Sequence, residues 1–298
     1  MRVAITGSSG LIGRALRARL EAAGHQVTPV VRASTAAGPA VWWDPDRGQI
    51  DAAGLEAARL DAVVHLAGAG IGDRRWSPAR KNVIRESRTR GTALLADALA
   101  GLDHKPAVLI SASAIGYYGE RGDTVLDEHE PPGRDFLADV CVQWEAATAA
   151  ARAAGIRVAC TRSGLVQSRD GGMLPRVLPI FRLGLGGRLG SGRQWWSWIS
   201  IDDEVRAMEF LLDHDVDGPV NLVAPNPVTN AEFTRILAGA LHRPVVLAVP
   251  AVGPKVALGP EMAELLLFTS TRAEPSALLG AGFEFVDAEL RSALHRLG

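Results

Sequence analysis

The first sixteen residues, "MRVAITGSSGLIGRAL" (Met1 to Leu16), decide the fold class. Val3 to Thr6 has the composition of a short buried strand, and a helical pattern follows it. Three glycines between a strand and a helix allow a tight turn, close approach of the backbone to a pyrophosphate, and close packing of helix on sheet. The stretch therefore predicts a dinucleotide site, the alternative being a tight turn that binds nothing. The expected contacts are Gly7, Ser9, Gly10, Leu11, Ile12 and Gly13.

The end of the second predicted strand, in "TPVVRAST", indicates which dinucleotide is bound. An Asp or Glu here would accept hydrogen bonds from the ribose hydroxyls of NAD. This chain has Arg32 instead, followed by Ser34 and Thr35, and an arginine pairs with a 2′-phosphate. The sequence therefore predicts NADP(H), with Arg32 on that phosphate. The alternative is that Arg32 is a solvated surface residue.

Further cofactor contacts are expected where the next three strands end. "VWWDPD" suggests that Trp43 flanks the adenine and that Asp44 accepts from its amino group; the alternative is a core tryptophan and a turn aspartate. In "HLAG" small residues let the backbone pass the ribose, and His65 is interpreted as a core histidine. The remaining expected contacts are Leu66, Ala67, Gly68, Arg75 and Ser111.

The bulk composition excludes several classes of protein. The chain has 298 residues, 47% of them hydrophobic, and a net charge of −1, so nothing indicates nucleic-acid binding. Two cysteines form neither a disulfide framework nor a metal site, which favours a reducing cytoplasm. No apolar run approaches the ~18 residues of a membrane span, and no signal peptide precedes the first strand. We expect a small-molecule substrate, no metal, and a monomer or homodimer.

Strands and helices alternate along the first half of the chain, which predicts an α/β fold with a doubly wound, Rossmann-type parallel sheet. Residues 1–165 are expected to form this NADP-binding domain, with a returning strand near residues 218–223. A long helix is predicted from Ser77 to Ala100, with Ser77 as its cap. Residues 166–199 and 224–298 are expected to form a smaller, mostly helical substrate region.

Several motifs resemble the extended short-chain dehydrogenase/reductase superfamily, which includes sugar-nucleotide epimerases and dehydratases. They are the glycine turn, "LAGAGIGDRRW", "SASAIGYYGERGD", "RSGLV", "LPIFRLGLGGRLGSGRQWWSWISIDD" and "GPVNLVAPNPVTNAEF". The "LGLGGRLGSGRQ" run is similar to one subgroup of unassigned reaction that carries a short C-terminal domain of unknown function. The resemblance implies a Rossmann domain and NADP(H), and implies no particular substrate.

The catalytic pair of that superfamily is missing. Its active members carry Tyr-x-x-x-Lys at the start of the helix after the fifth strand, and often a Glu four residues beyond the lysine. Alignment on Glu145 puts Leu137 at the tyrosine and Cys141 at the lysine. The two tyrosines of the chain stand elsewhere, and no lysine lies between Lys105 and Lys255.

Other residues are therefore candidates for proton transfer. Ser113 ends the fifth strand, where the superfamily has a catalytic Ser or Thr, and Tyr117 and Tyr118 follow it. A phenol titrates near pH ~10 and needs a nearby cation to act at neutral pH, for which Arg121 is a candidate. Loop packing is the alternative for the tyrosines. Cys141 is read as a buried core thiol rather than as a nucleophile.

The predicted function is an NADP(H)-dependent oxidoreductase or epimerase with altered catalytic residues, acting on a sugar nucleotide or another carbonyl compound. The alternative is a non-catalytic NADP(H)-binding sensor. An enzyme should keep an open cavity beside the nicotinamide, whereas a sensor should have that space filled. The candidate substrate contacts are Arg182, Arg188, Arg193, Trp195 and Trp196, whose alternative is a packed subdomain with surface arginines.

Overall fold

The computed structural model describes residues 1–32, 40–245 and 247–296. Ser34 and Thr35, which follow the predicted phosphate contact, lie outside the described residues. The strands are β1 (Arg2–Thr6), β2 (Gln26–Arg32), β3 (Val41–Asp44), β4 (Gln49–Ile50), β5 (Ala62–His65), β6 (Val108–Ala114), β7 (Val125–Leu126), β8 (Arg157–Ser163), β9 (Leu165–Gln167), β10 (Gly187–Leu189), β11 (Trp195–Trp196), β12 (Trp198–Ser200), β13 (Gly218–Leu222), β14 (Val228–Thr229), β15 (Leu247–Val249) and β16 (Arg272–Ala273).

The helices alternate with these strands in the first half of the chain and dominate its end. They are α1 (Leu11–Ala22), α2 (Ala52–Ala58), α3 (Pro78–Ala100), α4 (Phe136–Ala146), α5 (Ala149–Ala153), α6 (Leu174–Arg182), α7 (Ile201–Asp213), α8 (Asn230–Ala240), α9 (Val252–Leu258), α10 (Pro260–Ala263), α11 (Ser276–Gly280) and α12 (Leu290–Arg296). A 3₁₀ turn spans Ile115–Tyr117, and a π-helix spans Glu264–Phe268.

One large sheet organises the molecule. Its order is β13-β8-β6-β5-β1-β2-β3-β4, and every neighbouring pair is parallel except β3 with β4. This sheet confirms the predicted α/β fold. The order reverses between β1 and β5, and ligands of such sheets bind in the crevice outside the carboxyl ends of the strands at this point.

Apolar cores cover both faces of the sheet. On one face Val3, Ile5 and Ile110 pack with Leu16 of α1 and Met208 of α7. On the other face the core includes Val63 and Leu109 of the sheet with Leu95 and Leu99 of α3. Burial on both faces explains why β1, β5 and β6 read as continuous apolar runs.

A third core belongs to the later part of the chain. It joins α6, α8 and α12 through Phe181, Phe233 and Leu294, together with Trp196 and Trp198.

No helix in residues 1–32, 40–245 or 247–296 is long and apolar enough to cross a membrane.

Candidate functional site

The glycine turn has the geometry of a phosphate cradle. A Cβ on Gly13 would lie 2.2 Å from the Gly7 carbonyl oxygen, and one on Gly7 would lie 2.8 Å from the Leu66 carbonyl carbon. Gly7 also has a φ of +67°, which side-chain-bearing residues rarely adopt. Gly10, the N-cap of α1, provides no side-chain hydrogen bond, so the first N–H groups of the helix have no side-chain cap. This arrangement suits a pyrophosphate.

Thr6 holds the ends of β1 and β5 together beside this turn. Its hydroxyl accepts from the backbone N–H groups of Leu66 and Ala67 at 3.0 and 3.2 Å, and lies 2.7 Å from Nδ1 of His65. His65 is fully buried, and burial lowers its pKa to about 4. It is thus a neutral core histidine at physiological pH, while Leu66, Ala67 and Gly68 leave the strand at the crevice.

The residues expected to contact the adenine and the 2′-phosphate lie in different surroundings. Trp43 is only 3% exposed and packs against His65, so it has no free face for a base and belongs to the core. The Asp44 carboxylate accepts from the N–H groups of Asp46 and Arg47 and thereby caps a turn. Arg32 is exposed at the end of β2, with Nη1 3.4 Å from the Asp46 carboxylate.

Two further expected cofactor contacts have other surroundings. Arg75 is exposed and donates to the Val256 carbonyl oxygen of α9, so it links the loop after β5 to the C-terminal region. Ser111 is 1% exposed inside β6, and its hydroxyl has no partner among the described residues. Ser111 therefore lies inside the sheet, level with the end of β5, and its role as a cofactor contact stays a prediction.

A cavity of about 190 Å³ opens at the carboxyl ends of β6 and β8. It lies between these strand ends, α3, α4 and the segments around residues 195 and 265. Its apolar walls are Ile71, Ile84, Leu137, Val140, Leu165, Leu265, Leu266, Trp144, Trp195 and Trp196. Its polar side chains are Arg88, Asp135, Cys141, Ser163, Ser197, Thr269 and Thr271. We call it the α4 cavity.

Leu137 and Cys141 align with the missing tyrosine and lysine, and both line the α4 cavity. Leu137 and Cys141 lie one turn apart on α4, so the two aligned positions face the same cavity. Burial raises the pKa of the Cys141 thiol to about 12, an effect that the Glu145 carboxylate reinforces. Cys141 is therefore a neutral thiol at neutral pH and cannot replace a lysine cation.

The two tyrosines do not line the α4 cavity. Tyr118 is fully buried; its hydroxyl donates to Asn221 at 2.7 Å and accepts from Arg162 at 3.0 Å. Burial raises the pKa of Tyr118 to about 12, which makes it a weak acid, and its hydroxyl is occupied by Asn221 and Arg162. Tyr117 is half-buried under the Arg162 guanidinium, 3.4 Å from the ring centroid.

The cation beside the tyrosines was not the one expected. Arg121 donates to backbone carbonyl oxygens, among them that of Tyr118 at 3.0 Å. Arg162, on β8, lies over both rings instead and makes a two-pronged ion pair with Glu145, both bonds being 2.9 Å. No local spacing in the sequence reveals this pairing, because α4 and β8 meet only in the tertiary structure.

Ser113 belongs to the same buried network. Its hydroxyl donates to the Glu145 carboxylate at 2.7 Å, and the residue is 5% exposed. The hydroxyl proton of Ser113 is thus directed at Glu145. Ser113 does not itself line the α4 cavity.

Sequence reasoning missed a second serine that does line the cavity. Ser163 ends β8, and its hydroxyl donates at 2.6 Å to Glu204, a fully buried residue of α7. The other carboxyl oxygen of Glu204 has no partner among the described residues. The sequence shows Glu204 only as one of three acidic residues in the first turn of a helix, where acids are ordinary.

The segment of residues 182–196 contains the five candidate substrate contacts, and only some of them reach the cavity. Trp195 and Trp196 line the α4 cavity, whereas Arg182, Arg188 and Arg193 are exposed and absent from its lining. Arg188 donates to the carbonyl oxygens of Gly190 and Ser191 and thereby braces its own loop. The segment contributes aromatic surface to the cavity and no cation.

Comparison with known proteins gives the family. The model of the NAD dependent epimerase/dehydratase family matches residues 3–223, and a domain of unknown function, DUF1731, matches residues 249–297. An epimerase family protein of Mycobacterium bovis is 49% identical over 98% of this chain and 96% of its own length. A chloroplastic SDR39U1 homolog of Arabidopsis thaliana is 38% identical over 100% of this chain and 86% of its own.

A solved structure agrees over the full length. The crystal structure of human epimerase family protein SDR39U1 (isoform2) with NADPH is 33% identical, covers 100% of this chain and 99% of its own, and has a TM-score of 0.88. The glycine turn, the strand order and these matches lead to one conclusion, which confirms the resemblance seen in the sequence. The chain belongs to the NAD dependent epimerase/dehydratase family and carries a C-terminal DUF1731 domain.

Proposed function

We propose that the chain binds NADP(H) at the glycine turn and acts as an oxidoreductase or epimerase on a carbonyl compound in the α4 cavity. One observation carries this proposal: the turn after β1 and the cavity after β6 and β8 open at the same edge of one parallel sheet. The human relative that covers the whole chain was crystallised with NADPH, which supports the choice of cofactor.

The residues of the crevice fit such a cofactor. Gly10 and the N-terminus of α1 would hold the pyrophosphate, Arg32 the 2′-phosphate, and the backbone at Ala67 and Gly68 the ribose. When bound, the reduced cofactor supplies the hydride that converts a carbonyl group to an alcohol. The α4 cavity excludes water from that carbonyl with its tryptophan and leucine side chains.

The proton for the alcohol oxygen comes, in this proposal, from Ser163 rather than from a tyrosine. Ser163 is one of the residues that line the cavity, and its hydroxyl donates to Glu204 at 2.6 Å. In the proposed step this hydroxyl turns to the substrate oxygen and passes its proton there, while the protonated Glu204 carboxyl donates its own proton to Ser163 Oγ. Burial raises the pKa of Glu204 to about 8, so that it holds a proton at neutral pH. Ser113 and Tyr117 would position this wall through Glu145 and Arg162.

A sensor without catalytic activity is the second candidate. Such a protein should have the space beside the nicotinamide filled by side chains. This chain has a cavity of about 190 Å³ at the carboxyl ends of β6 and β8, and our proposal puts the nicotinamide beside it. The open cavity favours the enzyme. A cytoplasmic location and a monomeric or homodimeric state stay predictions.

Fluorescence titration with NADPH tests the proposal. Gly13→Ala should abolish measurable NADPH binding, because its Cβ would collide with the Gly7 carbonyl oxygen. The matched control is Gly239→Ala on α8, where a Cβ meets nothing within 4 Å and binding should be unchanged. Wild-type protein that binds neither NADPH nor NADH would refute the proposed function.

A further inference from the structure

Arg88 is fixed at the wall of the α4 cavity. Its Nη1 donates to the carbonyl oxygens of Ala69 and Ile84 at 3.0 and 3.1 Å, and its guanidinium lies 4.9 Å from the ring centroid of Trp144. A Cβ on Gly68 would already touch the Arg88 guanidinium carbon at 3.4 Å. The glycine that ends "LAG" thus leaves room for this side chain next to the expected ribose.

The charge of Arg88 is not neutralised by the residues that the structure describes. It forms no ion pair with a described carboxylate, and its Nε and Nη2 make no hydrogen bond with a described residue. Burial lowers the pKa of Arg88, an effect that Cys141 opposes and Arg80 reinforces, yet an arginine stays protonated in proteins. A half-buried cation without a counter-ion is costly, and an anionic ligand offsets that cost.

The other lining residues indicate the charge and the polarity of the ligand. Arg88 is the one cation among the lining residues, and Asp135 is the one carboxylate. A nucleoside diphosphate needs several cations or N–H donors, which a single arginine does not supply. Trp195, Trp196 and the leucines of the π-helix offer apolar surface instead, in a volume of about 190 Å³.

We infer that the α4 cavity binds a compact, largely apolar monocarboxylate and that Arg88 binds its carboxylate group. This inference rests on the proposed function, because it names the substrate class of the same cavity. Arg88 reaches the cavity from α3, whereas Cys141 lines it from α4.

Calorimetric titration with benzoate, benzyl alcohol and UDP-glucose tests the inference, on protein with and without NADPH. Wild-type protein should bind benzoate more tightly than benzyl alcohol, and UDP-glucose should not displace it. Arg88→Gln should weaken benzoate about 10- to 150-fold, the loss expected for one charge-assisted contact, and should leave benzyl alcohol unchanged. Arg88→Lys keeps the charge and should retain more of the benzoate affinity than Arg88→Gln.

The matched control is Arg90→Gln on the same helix, where the Arg90 side chain is 61% exposed and pairs with Glu86. Equal benzoate affinity in wild type and Arg88→Gln overturns the inference, as does displacement by UDP-glucose or absence of benzoate binding to wild type. An Arg88→Gln variant that loses NADPH affinity as strongly as benzoate affinity assigns Arg88 to the cofactor instead. Failure of the proposed function would be seen in a different experiment, as the absence of NADPH and NADH binding when the wild-type protein is titrated.

Discussion

The hydroxyl of Ser163 donates to the carboxyl group of Glu204 at 2.6 Å, and this bond joins the α4 cavity to a fully buried acid. No described cation pairs with Glu204, and its pKa is raised from 4.5 to about 8 by burial, an effect that the Ser163 bond opposes. The neutral form is therefore the stable one in the folded protein.

Glu204→Gln should stabilise the protein progressively as the pH rises. Below pH 4.5 the Glu204 carboxyl group is protonated in both the folded and the unfolded wild type, so its burial as an acid does not change the free energy of unfolding with pH. Between pH 4.5 and about 8 the unfolded state releases the proton that the folded state keeps, so the stability of the wild type falls as the pH rises through this window. Urea unfolding at pH 5 and pH 8 measures the gain of the variant over wild type.

The control for this experiment is Asp202→Asn, which removes the same formal charge from an exposed position of the same helix turn. Its difference from wild type should be equal at the two pH values. A Glu204→Gln gain that does not grow with pH would show that Glu204 is already ionised in the folded protein.

Removing Ser163 should slow the chemical step. Once a carbonyl substrate is found, Ser163→Ala and Glu204→Gln should each slow single-turnover oxidation of bound NADPH by about 10²–10⁴-fold. Tyr118→Phe should retain the rate, because its hydroxyl is enclosed between Asn221 and Arg162.

Parallel assays of Ser113→Ala, Tyr117→Phe and Cys141→Ala complete the comparison. A full rate in Ser163→Ala together with a large loss in Ser113→Ala or Tyr117→Phe would return proton transfer to the residues that the sequence first indicated. Cys141→Ala should keep its rate, because a thiol with a pKa of about 12 transfers no proton at neutral pH.

Arg32 should select the phosphorylated cofactor. Arg32→Ala should weaken NADPH by about 10- to 150-fold and leave NADH nearly unchanged, because one charge-assisted contact to the 2′-phosphate is lost. Arg47→Ala removes a neighbouring exposed arginine that pairs with Asp44, and it serves as the control in the same titrations. Equal affinities of the wild type for NADPH and NADH would contradict this assignment.

Glu145→Gln should destabilise the fold through Arg162. The Arg162 side chain is 3% exposed and that of Glu145 is 16% exposed, so the variant leaves a buried cation without its counter-ion. Breaking such a pair costs about 3–5 kcal/mol, which urea unfolding will show. Glu86→Gln breaks a surface pair with Arg90 and should cost under about 1 kcal/mol. A loss no larger in Glu145→Gln than in Glu86→Gln would mean that solvent reaches Arg162.

The sequence determined the features that depend on local chemistry. Gly7 and Gly13 predicted the turn, because their missing side chains leave room for the Leu66 backbone and the Gly7 carbonyl oxygen. The periodicity and cap of the long helix were also readable: α3 begins at Pro78 with Ser77 accepting from the Arg80 N–H. The absence of Tyr-x-x-x-Lys was a property of the sequence alone.

The tertiary structure decided which polar side chains face the α4 cavity. Trp43 and Ser111 lie inside the core, because each belongs to a strand that is covered on both faces. Arg88 does not differ in spacing from the other arginines of α3, and Glu204 does not differ from its acidic neighbours. Burial and long-range pairing distinguish them, since the cost of a desolvated charge or carboxyl depends on what the fold brings within a few ångströms of it.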